Sequence, residues 1–400
     1  MAPRIVEIAV KKTGAVPNLF FADFALIDEP VYVASENMYK DAKKNQNRDF
    51  DIFVFVKNNE GKIVIAGLDP EQLADLLNAS GIDRKYTRRL LYWVYRRAVC
   101  SFSEINDIPL KVINVLSDKF VTGLSGPASS VASADGSVKY LFHTPSGLPY
   151  EAVWLPEGRR ETVCVSVQSG CRMGCRFCAT GRNGWGGNLT AGEIVNQVIS
   201  IPHQFTHVVL MGMGEPGDNI TEVLAACEIL TAEWGLAAGS SKVTVSTVGI
   251  APSVKRLLEE TNVNITLSLH SPFTDERASV MPVEARWSFR ETIEMMKEYG
   301  LKKRRRFTVA YVMIKGKNDS AGHLEELKKL LAGTGIRVNL LPYHPTSEHD
   351  EISSDDETMI RFKHLLVTSG IGASVRRSRG TDIQAACGML AANRRESVKK

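Results

Sequence analysis

Nowhere in these 400 residues does an uninterrupted apolar run approach the ~18 positions of a membrane-spanning helix, which excludes a helical membrane protein. An export signal is missing as well. Met1-Ala2-Pro3-Arg4 meets charge before any apolar segment can build up, so a cytoplasmic location is expected. There are no low-complexity tracts or collagen-like repeats, and 44% hydrophobic with 24% charged residues is the balance of a folded globular chain. An excess of one charge is lacking too: a formal net charge of +4 is compatible with a nucleic-acid partner but far too weak to argue for one. Cysteines are few and odd in number, seven, which speaks against a disulfide scaffold. Their placement matters more. Cys164, Cys171, Cys175 and Cys178 crowd together, while Cys100, Cys227 and Cys387 stand apart.

At about 150 residues per domain, the length predicts two or three domains. Residues 1–67 read as a β-rich extension, with Asp51–Val56 and Lys62–Ile65 flanking the hairpin signal Asn58-Asn59-Glu60-Gly61. Residues 68–125 read as a small helical domain. Its amphipathic helices are Pro70–Leu77 and Arg84–Cys100, the second with Arg84, Lys85, Arg88, Arg89, Arg96 and Arg97 beside Leu90, Leu91 and Val94. Ser125–Gly136, rich in Ser, Gly and Ala, reads as loop, and residues 126–150 as linker and entry strands. From 151 to 390 apolar strand-like runs alternate with helical stretches, the pattern of a parallel sheet with helical crossovers. Eight strands cannot be found, so the fold class expected is α/β with a partial (βα)6 barrel rather than a closed one. Residues 391–400 form a basic tail.

Three of the strands carry a polar face. In Thr162–Gln168, Val163, Val165 and Val167 oppose Cys164, Ser166 and Gln168. In Val243–Ser246, Val243 and Val245 oppose Thr244 and Ser246. In Asn264–His270, Ile265, Leu267 and Leu269 oppose Asn264, Thr266, Ser268 and His270. Strands buried on both faces read as apolar on both, so one polar face implies a sheet that lines a wet cavity.

Directly after the first of these strands, Cys171-Arg172-Met173-Gly174-Cys175-Arg176-Phe177-Cys178 forms a CxxxCxxC array. Three thiolates on one loop suit a single metal or three irons of a cluster. Structural zinc wants a fourth ligand, and no Cys or His follows at finger-like spacing. A loop at the C-terminal end of a barrel strand is where chemistry is expected.

This spacing, with Phe177 before the last cysteine, resembles the radical-SAM superfamily. Further stretches narrow the resemblance to the RlmN/Cfr family of RNA adenine methyltransferases. They include Glu151–Pro156, Cys164–Gly181, Asn188-Leu189-Thr190, Met211–Pro216, Ser246-Thr247, Ser268-Leu269-His270, Asn339–Pro342 and Arg379–Gly388. The resemblance implies one 4Fe-4S cluster on Cys171, Cys175 and Cys178, and two molecules of S-adenosyl-L-methionine (SAM) per turnover. It implies that Cys387 becomes methylated and that a second SAM on the cluster yields a radical that activates this methyl group. Cys164 would then release the product by forming a disulfide with Cys387, and Glu151 would accept a proton. The glycine-rich turn at Gly214 with Glu215, together with Ser246, Ser268, Leu269 and His270, would contact SAM. Carbon 2 of adenine is flanked by ring nitrogens and is no nucleophile, so polar methyl transfer cannot reach it whereas a carbon radical can.

The implied partners are ribosomal RNA, transfer RNA as an open question, and a reductant such as flavodoxin or ferredoxin, with no membrane. Carbon 2 is favoured over carbon 8 as the target; a non-methylating radical-SAM enzyme or an inactive RNA-binding relative is the alternative of another class. Taken singly, Cys387 reads equally as a core cysteine and Glu151 as one of 45 acidic residues. Cys100, Cys227, Met281, Met295 and Met296 read as packing residues. The basic clusters Lys302–Arg306, Arg376-Arg377 with Arg379, and Arg394-Arg395 with Lys399-Lys400 each suit a solvated face. Jointly with the Arg84–Arg97 helix they suit a phosphate-binding rim. His344 stands where the family usually has Asn.

Overall fold

The computed structural model describes residues 5–12, 32–33, 50–58, 60–300, 305–345 and 351–391. The basic positions Lys302–Arg304 and the tail Arg394–Lys400 lie outside this set. The chain divides into two units, one of residues 1–125 with 145–147 and one of 126–144 with 148–400.

In the first unit, strands β1 (Ile5–Lys12), β2 (Tyr32–Val33), β3 (Phe50–Lys57) and β4 (Ile63–Val64) precede helices α1 (Pro70–Ala79), α2 (Thr87–Tyr95) and α3 (Leu110–Lys119) and strand β5 (Phe120–Val121). They build one sheet in the order β2-β1-β3-β4-β5. The expected hairpin forms between β3 and β4, its turn held by Asn58 Oδ1, which accepts from Glu60 N–H and Lys62 N–H. Because β4 pairs with β5, residues on both sides of position 67 share this sheet. Asp69 opens α1 with a reciprocal capping box to Gln72, and the apolar stripe Leu73, Ala74 and Leu77 is buried. The helix expected over Arg84–Cys100 is shorter than its charge pattern suggested. A 3₁₀ turn covers Arg84–Tyr86, α2 ends at Tyr95, and Ala98 adopts a left-handed φ of 55° that an α-helix cannot contain.

The second unit opens with β6 (Ser129–Ala132), β7 (Val138–His143), β8 (Pro149–Glu157) and β9 (Arg160–Cys164), joined antiparallel. The segment expected to be loop therefore contains the exposed edge strand β6. A small ribbon of β10 (Gln168–Gly170) and β11 (Trp185–Asn188) encloses the one-turn helix α4 (Ala179–Arg182). Then strands and helices alternate: α5 (Ala191–Ile199), β12 (His207–Leu210), α6 (Ile220–Thr231), β13 (Val243–Thr247), α7 (Ala251–Glu260) and β14 (Asn264–Ser268). They continue through α8 (Thr274–Val280), α9 (Phe289–Gly300), β15 (Phe307–Met313), α10 (Ala321–Leu331), β16 (Arg337–Pro342), α11 (Asp356–Thr368) and β17 (Ala373–Val375).

The resulting ten-stranded sheet has the order β17-β16-β15-β14-β13-β12-β9-β8-β7-β6. It is parallel from β9 through β17, with a helical crossover at each step, as the (βα)6 reading required. Its final strand β17 adds a seventh to that count, and β6–β8 extend the opposite edge. The apolar faces read from alternation are buried as expected: Val163, Val165, Val243, Val245, Ile265 and Leu267 have no exposed surface. Each such side chain stabilises the fold by about 1.5–3 kcal/mol relative to exposure. Among the described residues no helix is long and apolar enough to cross a membrane.

Candidate functional site

Of the polar strand faces, Cys164, Ser246, Thr266, Ser268 and His270 line a cavity of about 430 Å³ within the second unit, whereas Ser166, Gln168, Thr244 and Asn264 do not. That volume falls in the roughly 300–1,000 Å³ range of small-molecule and cofactor sites. Of the residues singled out above, Cys164, Cys171, Cys175, Cys178, Gly214, Glu215, Ser246, Ser268, His270 and Cys387 all line it. Leu269 and Glu151 do not. Leu269 is wholly buried on the opposite face, as strand alternation requires. Glu151 on β8 is committed elsewhere: Lys139 Nζ pairs with its Oε1 at 3.2 Å, and Ala391 N–H donates to its Oε2 at 3.1 Å.

Tight backbone geometry delivers the cysteine loop to this cavity. Gly170 ends β10 at a φ of +83°, and a Cβ there would sit 2.0 Å from the Gly184 carbonyl oxygen. The loop then returns through Cys171 N–H to the same Gly184 oxygen at 3.0 Å. Across the cavity, Gly214 has a φ of +99° and packs directly on Gln168, where a Cβ would fall 2.6 Å from the Gln168 Cβ. Gly214→Ala is therefore expected to combine backbone strain of about 1–3 kcal/mol with displacement of Gln168. A clearly lowered thermal midpoint together with lost iron content would be the measured outcome; an unchanged midpoint would contradict the packing described.

The three loop thiols all line the cavity, Cys171 and Cys175 buried and Cys178 half-buried. Burial pushes Cys171 up to about 12 and Cys175 higher still, and the neighbouring thiols add to the rise in both. Thiolates so buried need positive charge to persist. Three thiols that line one cavity can serve as donors to a single ion or to three irons of a cluster.

Glu215 lies on the cavity wall with 3% of its surface exposed, its Oε1 accepting from Thr247 Oγ1 at 2.5 Å and Gly217 N–H at 2.8 Å. Its Oε2 accepts from Val248 N–H at 3.0 Å, and burial raises its pKa to about 7 against the pull of these donors. Ser246 and Ser268 hydroxyls stand 3.5 Å apart on adjacent strands. His270, at a φ of 58°, leaves the strand there, and its Nδ1 accepts from Val312 N–H at 2.9 Å. Burial drives its pKa down to about 3, so the ring is neutral and turns an Nε2–H to its surroundings.

Cys164 and Cys387, far apart in the sequence, both reach the cavity. Cys164 ends β9 and is buried, and its pKa rises to about 12 through burial and then the nearby Cys387 sulfur, opposed by Arg376. Cys387 is exposed on a loop pinned at several points: Ala179 N–H to Gly388 O at 2.8 Å, Thr180 Oγ1 to Leu390 O at 2.6 Å, and Ser133 Oγ to Asp382 at 2.6 Å. The disulfide expected between the two is not formed; all seven cysteines are free.

Several residues that the sequence reading placed elsewhere also line the cavity. Arg376, Arg377, Ser378 and Arg379 form part of the wall, so one basic cluster faces the cavity rather than bulk solvent alone. His344 also lines it, with Nε2 and Ser378 Oγ 2.7 Å apart. Met281 is both wholly buried and part of the lining.

Comparison with known proteins agrees with this geometry. The radical SAM superfamily matches residues 165–331. A protein of Bacteroides thetaiotaomicron named as a dual-specificity RNA methyltransferase RlmN is 39% identical over 85% of this chain and 99% of its own. One of the same name from Thermus thermophilus is 39% identical over 76% of this chain and 88% of its own. The crystal structure of a radical SAM methyltransferase from Sphaerobacter thermophilus superimposes with a TM-score of 0.78, at 38% identity, over 82% of this chain and 99% of that one.

Proposed function

The chain belongs to the RlmN/Cfr family of radical-SAM RNA methyltransferases, and we propose that it methylates carbon 2 of one adenosine in large-subunit ribosomal RNA. The relatives are named dual-specificity enzymes, and the proposal extends to the adenosine beside the anticodon of transfer RNA. Work in the cytoplasm with a one-electron donor such as flavodoxin or ferredoxin completes the reading.

Cys171, Cys175 and Cys178 would hold the 4Fe-4S cluster, with SAM against Gly214, Glu215, Ser246, Ser268 and His270. So placed, cluster and SAM would supply the one-electron chemistry that attack on an electron-poor ring carbon demands. Cys387 would carry the methyl group on its exposed sulfur, and Cys164, lining the same cavity, would free the product. Neutral His270, its Nδ1 occupied by Val312 N–H, would offer Nε2–H to SAM without adding charge. Glu151, held by Lys139 and Ala391 N–H, sits against the segment that follows Cys387 rather than on the cavity wall, so a proton reaching it would travel by way of that segment. Arg376, Arg377 and Arg379 offer the phosphate contacts that a flipped-out nucleotide needs.

The observation that supports this reading is the presence of Cys164 and Cys387 in one cavity with the three loop cysteines, because other radical-SAM chemistries require the loop cysteines alone. Mass spectrometry of ribosomal and transfer RNA from cells with and without the gene tests it. A methyl group on carbon 2 of a single adenosine, present only with the gene, is the expected result. A methyl group on carbon 8, or none, would overturn it.

A further inference from the structure

Arg277 has no exposed surface, lies on α8, and belongs to none of the motifs that carry the family resemblance. Its guanidinium is fully engaged. Nε donates to the Leu269 carbonyl at 3.1 Å, Nη2 donates to the carbonyls of Val248 at 2.7 Å and Ser268 at 2.9 Å, and Nη1 pairs with the equally buried Glu284. Those three carbonyls sit where the chain leaves β13 and β14, next to Ser246, Val248, Ser268 and His270 of the cavity wall.

A buried ion pair is a costly way to fill space, because desolvation of both charges opposes their attraction, and an apolar pair of similar volume serves packing as well. An apolar pair cannot tie three carbonyls from two strands to one point. The same helix also reaches the cysteine loop: Arg176 N–H donates to the Val280 carbonyl at 3.0 Å, and Met281 packs with Val248 and Cys175 in one apolar cluster.

We infer that Arg277, with Glu284 as its counter-ion, is a positioning residue for SAM: it fixes the ends of β13 and β14 relative to each other and to the cysteine loop. This rests on the reading of the cavity as the SAM site. Glu284 serves by holding the guanidinium in register, its Oε2 also accepting from Phe289 N–H at 3.1 Å while Oε1 has no partner.

The test uses the full chain with its cluster reconstituted anaerobically. Equilibrium dialysis with SAM, thermal midpoint and iron content are compared across Arg277→Met, Arg277→Lys and the double variant Arg277→Met/Glu284→Leu. Arg277→Met should lose both stability and SAM affinity, because the buried Glu284 carboxyl is left without its counter-ion. The double variant should recover the midpoint and the iron while binding SAM at least tenfold more weakly than wild type. Arg277→Lys keeps the charge but reaches fewer carbonyls, so it should fold normally with intermediate affinity. Wild-type SAM affinity in the double variant, or in Arg277→Lys should the double not fold, overturns the positioning role alone. A wild-type chain that binds no SAM removes the reading of the cavity and this inference with it.

Discussion

Alanine in place of Cys387 is expected to stop RNA methylation while SAM is still cleaved to 5′-deoxyadenosine. The two activities separate because they draw on different sulfurs. On the proposed reading, cleavage would draw an electron from a cluster on Cys171, Cys175 and Cys178, whereas transfer would need a sulfur that first takes the methyl group and then presents it to the base. The loop bearing Cys387 is pinned by bonds from its neighbours, through the Gly388 and Leu390 carbonyls and the Asp382 carboxylate, so its path survives loss of the thiol. Cys387 is exposed, and truncating an exposed side chain changes stability by no more than about 0.5 kcal/mol. A fall in methylation on the order of a thousandfold or more, with thermal midpoint and iron content unchanged, is therefore a chemical effect rather than a folding one. Tritium release from labelled SAM into RNA and chromatography of 5′-deoxyadenosine read the two activities side by side. Methylated RNA from this variant would end the two-cysteine account.

Much of this site could be read from period-two alternation, because a strand that is apolar on one face declares what its other face must meet. Val163, Val243 and Ile265 went to the core, and Cys164, Ser246 and Ser268 to the cavity. Leu269 shows the same rule from its failing side: alternation placed it with Ile265 and Leu267, family likeness placed it against SAM, and the side chain follows alternation. Arg277 was illegible for a different reason. Its partners come from positions 248, 268, 269 and 284, and no local pattern announces that a guanidinium will meet carbonyls from two strands. Glu151 stands outside the cavity lining for a reason no local pattern shows: Lys139, diagonal to it across the β7–β8 ladder, and the Ala391 N–H both hold its carboxylate. The helix over Arg84–Cys100 was overrun since charge periodicity continues past Tyr95 while the backbone turns left-handed at Ala98.

Alanine in place of Cys164 is expected to leave the protein covalently joined to its RNA. In the proposed mechanism, once the carbon from Cys387 has bonded to the base, the product hangs on a C–S bond that hydrolysis does not break. Release requires a thiolate to attack the Cys387 sulfur: an S–S bond forms, the C–S bond breaks with its electron pair on carbon, and that carbon takes up a proton to become the methyl group. The disulfide left behind needs two electrons from an external reductant before the next turnover. Cys164 is suited by place and hindered by burial, which raises its pKa to about 12, so a base or the positive charge of Arg376 must assist its ionisation. Without this thiol every earlier step can proceed once, which predicts one RNA per chain as a band that survives denaturing gels and nuclease-trimmed mass analysis. The double variant lacking both Cys164 and Cys387 must show no such band, because the tether itself is then absent. Full turnover by Cys164→Ala, or an adduct that persists in the double variant, would move the resolving role or the tether to another residue.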